Sequence, residues 1–582
     1  MNKQTSTVSD YIVEYLISKD ITDVFGYPGG MVTYFMDSLS KKSDRIKSHV
    51  TYHEQGASFA ACGYAQVSGK VGVAYATSGP GATNLITGIC NAYFDSIPTL
   101  FITGQVNTFE SKSERSIRQR GFQETDIVSM VKPVTKYAVR IERAEDIKIS
   151  LDYAFDIALS GRKGPVLLDI PMDIFRSYIK TDLLVGYATH SPKIAQSSSS
   201  EYLNLLNDAL SCARKPLFLL GNGIKTADKV GEIRDAIDGL NIPVVTTMIA
   251  VDVAAGCKYN YGFIGAYGNR TANFLVSKCD LLISIGARLD VRQVGAKREN
   301  FAPTAKIIRV DIDSGELSYI VREDEIHIHD DISHFVEMLD KIDSRNYIEW
   351  ISLCESIKEK LNGIDDKLPN HLIKEIGKSM SENAIITTDV GQNQVWVAQS
   401  LEIKKGQKIL FSGGHGAMGY SLPASIGACL ASSQKPTICF SGDGGIQMNI
   451  QELMVISREK LPIKIILINN HALGMIRHFQ EMYFDKNYTQ TTLAGGYAVP
   501  DFSSIANAYG IKYLCCENVK DIQSIDKNYF EDDEPVFIEI KIKEDTYVYP
   551  KLEFGKPNQD QEPLLKRALY DEINNMDVER IK

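Results

Sequence analysis

The sequence predicts an α/β protein of three domains, each built on a parallel sheet, and three observations carry that prediction. The first is length: 582 residues exceed what one hydrophobic core serves and match three or four domains. The second is rhythm. Short apolar runs rich in Val, Ile, Leu and Phe alternate with helix-patterned stretches. Runs without polar alternation suit strands covered on both faces, and strand–helix alternation gives parallel strands joined by right-handed crossovers. The third is punctuation. The apolar runs end in turns rich in Gly, Asn and Asp, at the carboxyl ends of strands where such sheets bind ligands.

The first unit spans 1–175. Ser9 or Asp10 is placed to cap a helix from Tyr11 to Ser18, whose apolar residues recur at helical spacing. Asp23–Gly26 reads as a strand turned by Tyr27-Pro28-Gly29-Gly30, and His53-Glu54-Gln55-Gly56 leads into a small-residue helix, Ala57–Ser68. Val71–Ala76 and Pro98–Gly104 read as buried strands. Residues 176–200, ending in Gln196 and four serines, read as a linker. A second unit, 201–345, has strands Pro216–Leu220, Asp280–Ile285 and Lys306–Asp311. They run into Gly221-Asn222-Gly223, Gly286-Ala287-Arg288 and Asp311-Ile312-Asp313. A charged stretch, 346–369, with a helix Trp350–Leu361, reads as a second linker, 370–550 as the third unit, and 551–582 as a polar surface tail with one helix, Leu564–Asn575.

The third unit carries the clearest chemistry. A strand, Pro436–Phe440, meets the turn Gly442-Asp443-Gly444-Gly445, followed by a helical stretch from Gln447 to about Arg458. A second strand, Ile463–Ile468, ends in Asn469-Asn470. The glycines let backbone approach an anion, and a helix start offers it free N–H groups. Asp443 and the amide oxygen of Asn470 are hard oxygen donors of the kind Mg²⁺ takes beside phosphate oxygens. A diphosphate bridged by Mg²⁺ is the direct reading; a glycine turn in another nucleotide-binding or ligand-free α/β fold yields the same short motif.

Composition narrows the partners. Net charge is −10 and no basic block stands out, which argues against nucleic acid. Ten scattered cysteines without a CxxC pair indicate neither a zinc site nor a disulfide framework, as in a reducing compartment. Cys515 and Cys516 are expected to be buried as small apolar residues. The N-terminus has no signal-type apolar core and no apolar run approaches 18 residues, so no membrane partner and a cytoplasmic location are expected.

The GDG at 442–444 and NN at 469–470 resemble the diphosphate motif of thiamine-diphosphate (ThDP) enzymes. FGYPGG (25–30), HEQGA (53–57), TSGPGATN (77–84) and DSIP (95–98) look like a ThDP pyrimidine-binding domain. SGRKGPVLLDIP (160–171), IGARLDVRQVG (285–295), FAPTAKIIRVDID (301–313), TTDVGQNQVWVAQ (387–399), SGGHGAMGYSLPASIGA (412–428) and NNHALGM (469–475) continue the match. Together they resemble the catalytic subunit of the acetolactate (acetohydroxyacid) synthases, collinearly from about residue 6 to 545.

The resemblance implies roles. Glu54 would hydrogen-bond the aminopyrimidine ring nitrogen of ThDP from a buried site, with Gly26 facing the reactive carbon and Phe122 and Gln123 near the substrate. Met418 would support the bent cofactor and the carbonyl of Gly416 its exocyclic amine. Gly442, Gly444, Gly445, Asn470, Gly474 and Met475 would line the diphosphate, with Asp443, Asn470 and the Ala472 carbonyl on Mg²⁺. Because Glu54 and Asp443 would meet across an interface, a homodimer or tetramer is implied, with a regulatory subunit as a further partner. The middle domain resembles an FAD-binding domain in which the flavin is structural. Arg162, Gly221, Gly223, Gly286, Arg288, Arg292, Asp311, Ile312 and Asp331 match its contact positions.

The departures cluster on the acceptor side. Phe479 stands where a Trp is usual, Arg477 and His478 where less basic residues are usual, and His415 where an aliphatic residue is usual. Met172 replaces a common Lys, and the tail after Tyr549 is unlike the synthases. The implied function is decarboxylation of pyruvate and transfer of the hydroxyethyl group to an acceptor ketone, as in acetolactate synthase. The alternatives are the same donor chemistry with a nucleotide-linked keto sugar as acceptor, and an FAD oxidoreductase similar to pyruvate oxidase. Glu54, Asp443 and Asn470 argue against a non-catalytic regulator.

Overall fold

The computed structural model describes residues 5–113, 115–187 and 199–578. Three six-stranded sheets, parallel throughout, organise the chain. The first runs, edge to edge, Lys47–Val50, Asp23–Gly26, Gly72–Ala76, Thr99–Gln105, Val166–Pro171, Tyr137–Arg140. The second runs Asn260–Phe263, Val244–Thr246, Pro216–Leu220, Leu281–Ile285, Lys306–Asp311, Ile326–His329. The third runs Lys408–Leu410, Ile385–Thr388, Thr437–Gly442, Ile463–Asn469, Val536–Lys541, Lys512–Cys516. Central strands such as Gly72–Ala76, Leu281–Ile285 and Ile463–Asn469 are buried along their whole length, as their unbroken apolar runs require.

Each sheet winds first one way and then the other, and the reversal opens a crevice at the strands' carboxyl ends. In the first sheet it falls between Gly26 and Ala76, in the second between Gly221 and Gly286, and in the third between Asp389 and Gly442. The outer domains meet where the helix Glu54–Ser68 crosses the helix Ser421–Ala431. Backbones touch there: a Cβ on Gly63 would lie 2.1 Å from the Ala424 carbonyl oxygen, and one on Gly427 1.8 Å from that of Ala60.

Several boundaries differ from the sequence reading. The first helix starts at Val8, with Thr7 as its cap, because Val8 is already in the core; Ser9 instead donates to the Phe175 carbonyl. The helix after His53 starts at Glu54, with the His53 ring accepting from Gln55 N–H. The helix after the GDGG turn starts at Asp443, stops at Met448 and resumes as Leu453–Glu459. Residues 176–187 are no bare linker, since Tyr178–Lys180 pairs antiparallel with Thr5–Thr7; the serine run up to Ser198 lies outside the described residues. Nor is 346–369. Its helix, Ile348–Leu361, buries Trp350, Cys354 and Ile357 in the second domain's core, and the Trp350 indole N–H donates to the Pro216 carbonyl. The tail returns to that core too, through Leu565, Ile573 and Val578, with its helix confined to Arg567–Asn575. Cys516 is buried but Cys515 is exposed, because successive strand residues face opposite ways. All ten cysteines are free, and among the described residues no helix is long and apolar enough to cross a membrane.

Candidate active site

The crevice of the third sheet is built by close approach. A Cβ on Gly445 would lie 2.4 Å from Asp389 Oδ1, one on Gly444 2.6 Å from Leu473 Cδ2, and one on Gly474 1.8 Å from Gln392 Oε1. Gly442 ends its strand with the Asn393 amide nearby. Asp443 is buried at the start of the turn, and its Oδ2 has no hydrogen-bond partner. Burial pushes its carboxyl up to about 7 in the bare protein. A buried carboxylate oxygen without a partner is costly, and a cation would offset that cost. Asn470 Nδ2 donates to Gln392 Oε1 at 3.0 Å, which fixes the amide so that Oδ1 accepts from Ala472 N–H at 3.3 Å. The donors gathered here are a carboxylate, an amide oxygen and the Ala472 carbonyl, a hard-oxygen set that fits Mg²⁺. Among the described residues no group of three His, Cys, Asp or Glu side chains forms another metal site. Met475 lies half-buried in the first turn of the helix Gly474–Tyr483.

The loop Ser412–Tyr420 is hung on two buried carboxylates. Asp95 accepts from the N–H groups of Gly413 (2.9 Å) and Gly414 (2.7 Å). Asp389 accepts from Gly419 N–H and from both the N–H and Oγ of Ser421. Burial pushes each up to about 6, against the pull of these donors. Gly416 adopts φ +67° with open space at its α-carbon. Met418 is half-buried, and its Cε reaches within 3.3 Å of where a Cβ on Gly444 would stand. His415 is exposed, its ring stacked on Phe94 at 5.7 Å.

Glu54 opens its helix and is only 7% exposed; its Oε2 accepts from Asn84 Nδ2 at 2.9 Å. Gly81 leaves room for it: a Cβ there would lie 3.1 Å from Glu54 Oε1. At the strand end nearby, a Cβ on Gly26 would strike the Tyr75 ring at 2.5 Å. Gln123 sits at φ +65° against Gly79, and the Phe122 ring beside it is 79% exposed.

The second sheet's crevice opens a cleft of about 280 Å³. Gly286, at φ +60°, packs against the α-carbon of Gly223, and Gly221 lies beneath, where a Cβ would be 2.1 Å from the Gly286 carbonyl oxygen. The floor is therefore bare backbone. Arg162, Arg288 and Arg292 line the walls with Asp311, Ile312 and Asp331. Arg162 bridges to Asp313 (2.9 Å), Glu316 (2.5 Å) and Ser96. Burial raises the Asp311 carboxyl, and Asp331 caps the helix Ile332–Leu339. The glycine floor and the arginines on the walls suit an anionic dinucleotide such as FAD.

On the acceptor side the structure separates residues that the sequence grouped. Arg477 is 9% exposed and engaged elsewhere. It pairs with Glu544 (3.2 Å) and Glu481 (3.8 Å), donates to the Tyr547 hydroxyl, and lies over the Tyr488 ring. His478 is buried and stacked on Tyr547 at 4.1 Å; burial pushes its pKa down to about 4, so the ring is neutral. Phe479 faces the other way and joins Tyr483, Phe484 and Phe554 in an exposed aromatic group. Residues without an assigned role in the sequence reading turn out to position the site: Asp95, Asp389, Gln392 and Asn393. The last three lie in TTDVGQNQVWVAQ, where the acid and amides after a strand were the available signal.

The orphaned carboxylate of Asp443 lies in a glycine turn at the sheet's winding reversal, where it could hold a metal-bridged diphosphate. Three family models agree. The "Thiamine pyrophosphate enzyme, N-terminal TPP binding domain" matches residues 6–130, the "central domain" 203–339, and the "C-terminal TPP binding domain" 389–540. The chain is 34% identical over 558 residues to the acetolactate synthase isozyme 2 large subunit of Escherichia coli, covering 95% of this chain and 98% of that one. It is 36% identical over 565 residues to the acetolactate synthase large subunit of Lactococcus lactis, covering 95% and 96%. This chain belongs to the acetolactate synthase large-subunit family.

Proposed function

We propose that the protein uses ThDP and Mg²⁺ to decarboxylate pyruvate and to join the two-carbon unit to an acceptor carbonyl, giving 2-acetolactate when the acceptor is a second pyruvate. The observation that carries this is the orphaned Asp443 oxygen beside Asn470 and Ala472 at the glycine turn. These three would hold Mg²⁺ and, through it, a diphosphate. Bound ThDP supplies the electron sink that lets a 2-keto acid lose carbon dioxide. Glu54 would share a proton with the aminopyrimidine nitrogen; its burial and its single bond from Asn84 keep a carboxyl oxygen available. Met418, held by the loop that Asp389 and Asp95 anchor, would prop the bend of the cofactor. FAD fits the second cleft as a structural group.

Glu54 and Asp443 would meet from two chains, so the working form is a homodimer or a tetramer. A regulatory subunit and a cytoplasmic location belong to the same reading. The test is incubation of protein, ThDP, Mg²⁺, FAD and pyruvate, with products resolved by mass. Acetolactate and carbon dioxide are expected; stoichiometric flavin reduction by pyruvate would favour the oxidase reading instead. A second acceptor, a keto sugar carried on a nucleotide, is favoured by the open aromatic face around Phe479, and the same assay with that acceptor present separates the two.

A further inference from the structure

Two segments that wall the flavin-type cleft lie outside the sheet. Gly265–Gly268 is a loop between the edge strand Asn260–Phe263 and the helix Arg270–Lys278, and it brings Ala266 to the cleft together with Tyr267. Val291–Val294 is a single helical turn that brings Arg292 and Gln293. The two are tied together by Ala266 N–H, which donates to the Arg292 carbonyl at 2.9 Å. Buried backbone carbonyls must find donors, so the donors identify what holds the wall. The Gly265 carbonyl accepts from Asn273, and the Tyr267 carbonyl from Gln399. The other two carbonyls of the loop are taken by the tail. Leu552 N–H donates to Ala266 at 2.8 Å. Gln561 Nε2 donates to Gly268 at 3.1 Å and reaches Ala266 at 3.4 Å. On the second segment, Asn558 Nδ2 donates to the Gln293 carbonyl at 2.8 Å. Its Oδ1 stands 2.9 Å from where a Cβ on Gly295, at φ +84°, would lie.

The tail is itself tied down there. Lys551 and Glu562 exchange two backbone hydrogen bonds, which close 551–562 into a loop. Arg270, buried at the start of its helix, makes a bidentate pair with Asp365 and donates to the carbonyls of Gln561 (2.9 Å) and Pro563 (2.7 Å). Gln561 and Asn558 are both buried, and the amide oxygen of each has no hydrogen-bond partner. An orphaned buried oxygen costs free energy that an apolar side chain of the same size would avoid. What the amide supplies in each case is the donor to the wall.

We propose that Asn558 and Gln561 are positioning residues for the flavin-type cleft: the loop 551–562 is a strap that fixes the wall carrying Tyr267 and Arg292, so that flavin affinity is set from the tail. That the positioned group is FAD rests on the reading above; that the strap fixes the wall does not.

The experiment compares the full chain with Gln561→Met, Asn558→Leu and the double variant. Both replacements keep size and remove the donor together with the orphaned oxygen. The first readout is hydrogen exchange of the flavin-free protein, resolved to single amides in 265–268 and 291–295. The second is FAD affinity by flavin fluorescence, and the third is ThDP affinity with Mg²⁺ by calorimetry. The double variant should exchange its wall amides faster and bind FAD about tenfold more weakly or worse, the scale of two lost hydrogen bonds. ThDP affinity should not change, which separates a local effect from general loosening. Unchanged exchange in both segments would overturn the strap, and faster exchange with unchanged FAD affinity would overturn the positioning role. The wild type supplies a test that needs no variant to fold. An opening of the wall frees both Ala266 N–H and Leu552 N–H, so the Leu552 amide should exchange no faster than that of Ala266. Free exchange at Leu552 beside a protected Ala266 would overturn the proposal. Faster wall exchange in the variants of a protein whose wild type binds no FAD would keep the strap and discard the flavin reading.

Discussion

At the scale of single residues, environment decides what each ionisable group can do. Glu54→Gln keeps size and the contact with Asn84 but removes the proton-sharing carboxyl. Turnover should fall by roughly 10²-fold or more, with ThDP affinity, measured by calorimetry, nearly unchanged. Full activity in that variant would end the role assigned to Glu54. His49 makes a different prediction. Its two ring nitrogens face Asp23 (2.8 Å) and Glu459 (2.6 Å), one in each outer domain, with Arg458 on Glu459. Burial opposes its charge, but the two carboxylates outweigh it and raise the pKa to about 9. A raised pKa means the stabilisation is complete below the unfolded value near 6.5 and is lost as pH climbs through about 9. The unfolding free energy should therefore fall between pH 6.5 and 9.5 by an amount on the order of 1–3 kcal/mol, read as a falling thermal midpoint. His49→Gln should flatten that slope; an equal slope in the variant would place its origin elsewhere.

At the scale of elements, what was legible followed from local pattern, and what was missed depended on distant partners. Buried strands such as Pro216–Leu220 and Lys306–Asp311 were readable because a continuous apolar run needs no partner to be recognised. The glycine turns at 221–223, 286 and 442–445 were readable because only glycine allows those approaches. Arg477 was misread because the groups that hold it, Glu544 and Tyr547, lie 67 and 70 residues away. The tail was misread because nine helical residues with one fully buried position, Ile573, look like surface until Phe274 is seen against Tyr570. The crossing of Glu54–Ser68 with Ser421–Ala431 yields its own prediction. Gly427→Val puts branched carbon where the Ala60 carbonyl lies 1.8 Å from the Cβ position. It should destabilise by about 1–3 kcal/mol or more, overpacking that backbone cannot relieve. Calorimetry should then show the outer domains melting separately from one another; a single transition at the wild-type temperature would refute close packing there.

At the scale of the whole molecule, the proposed function puts three crevices of one topology to different uses: pyrimidine end, flavin-type cleft and diphosphate end. The cleft between Gly221 and Gly286 makes a spectroscopic prediction. Purified protein should be yellow, or become so with FAD, and Arg162→Ala should weaken flavin retention about tenfold by releasing Asp313 and Glu316 beside it. The readout is bound flavin absorbance after gel filtration; undiminished retention in the variant would exclude Arg162 from the cleft's function. Oligomeric state by light scattering belongs to the same preparation, where a monomer would contradict a site shared between two chains.

The way the chain revisits its middle sheet also has a consequence for biosynthesis. Everything the first domain's sheet needs has left the ribosome once Pro171 emerges, and everything the third sheet needs once Lys541 does. The second domain, begun at about residue 199, still lacks Leu565, Ile573 and Val578 from its core at that point. The middle of the protein is thus the last part to be completed, and its half-built apolar face is the surface a chaperone would meet during translation.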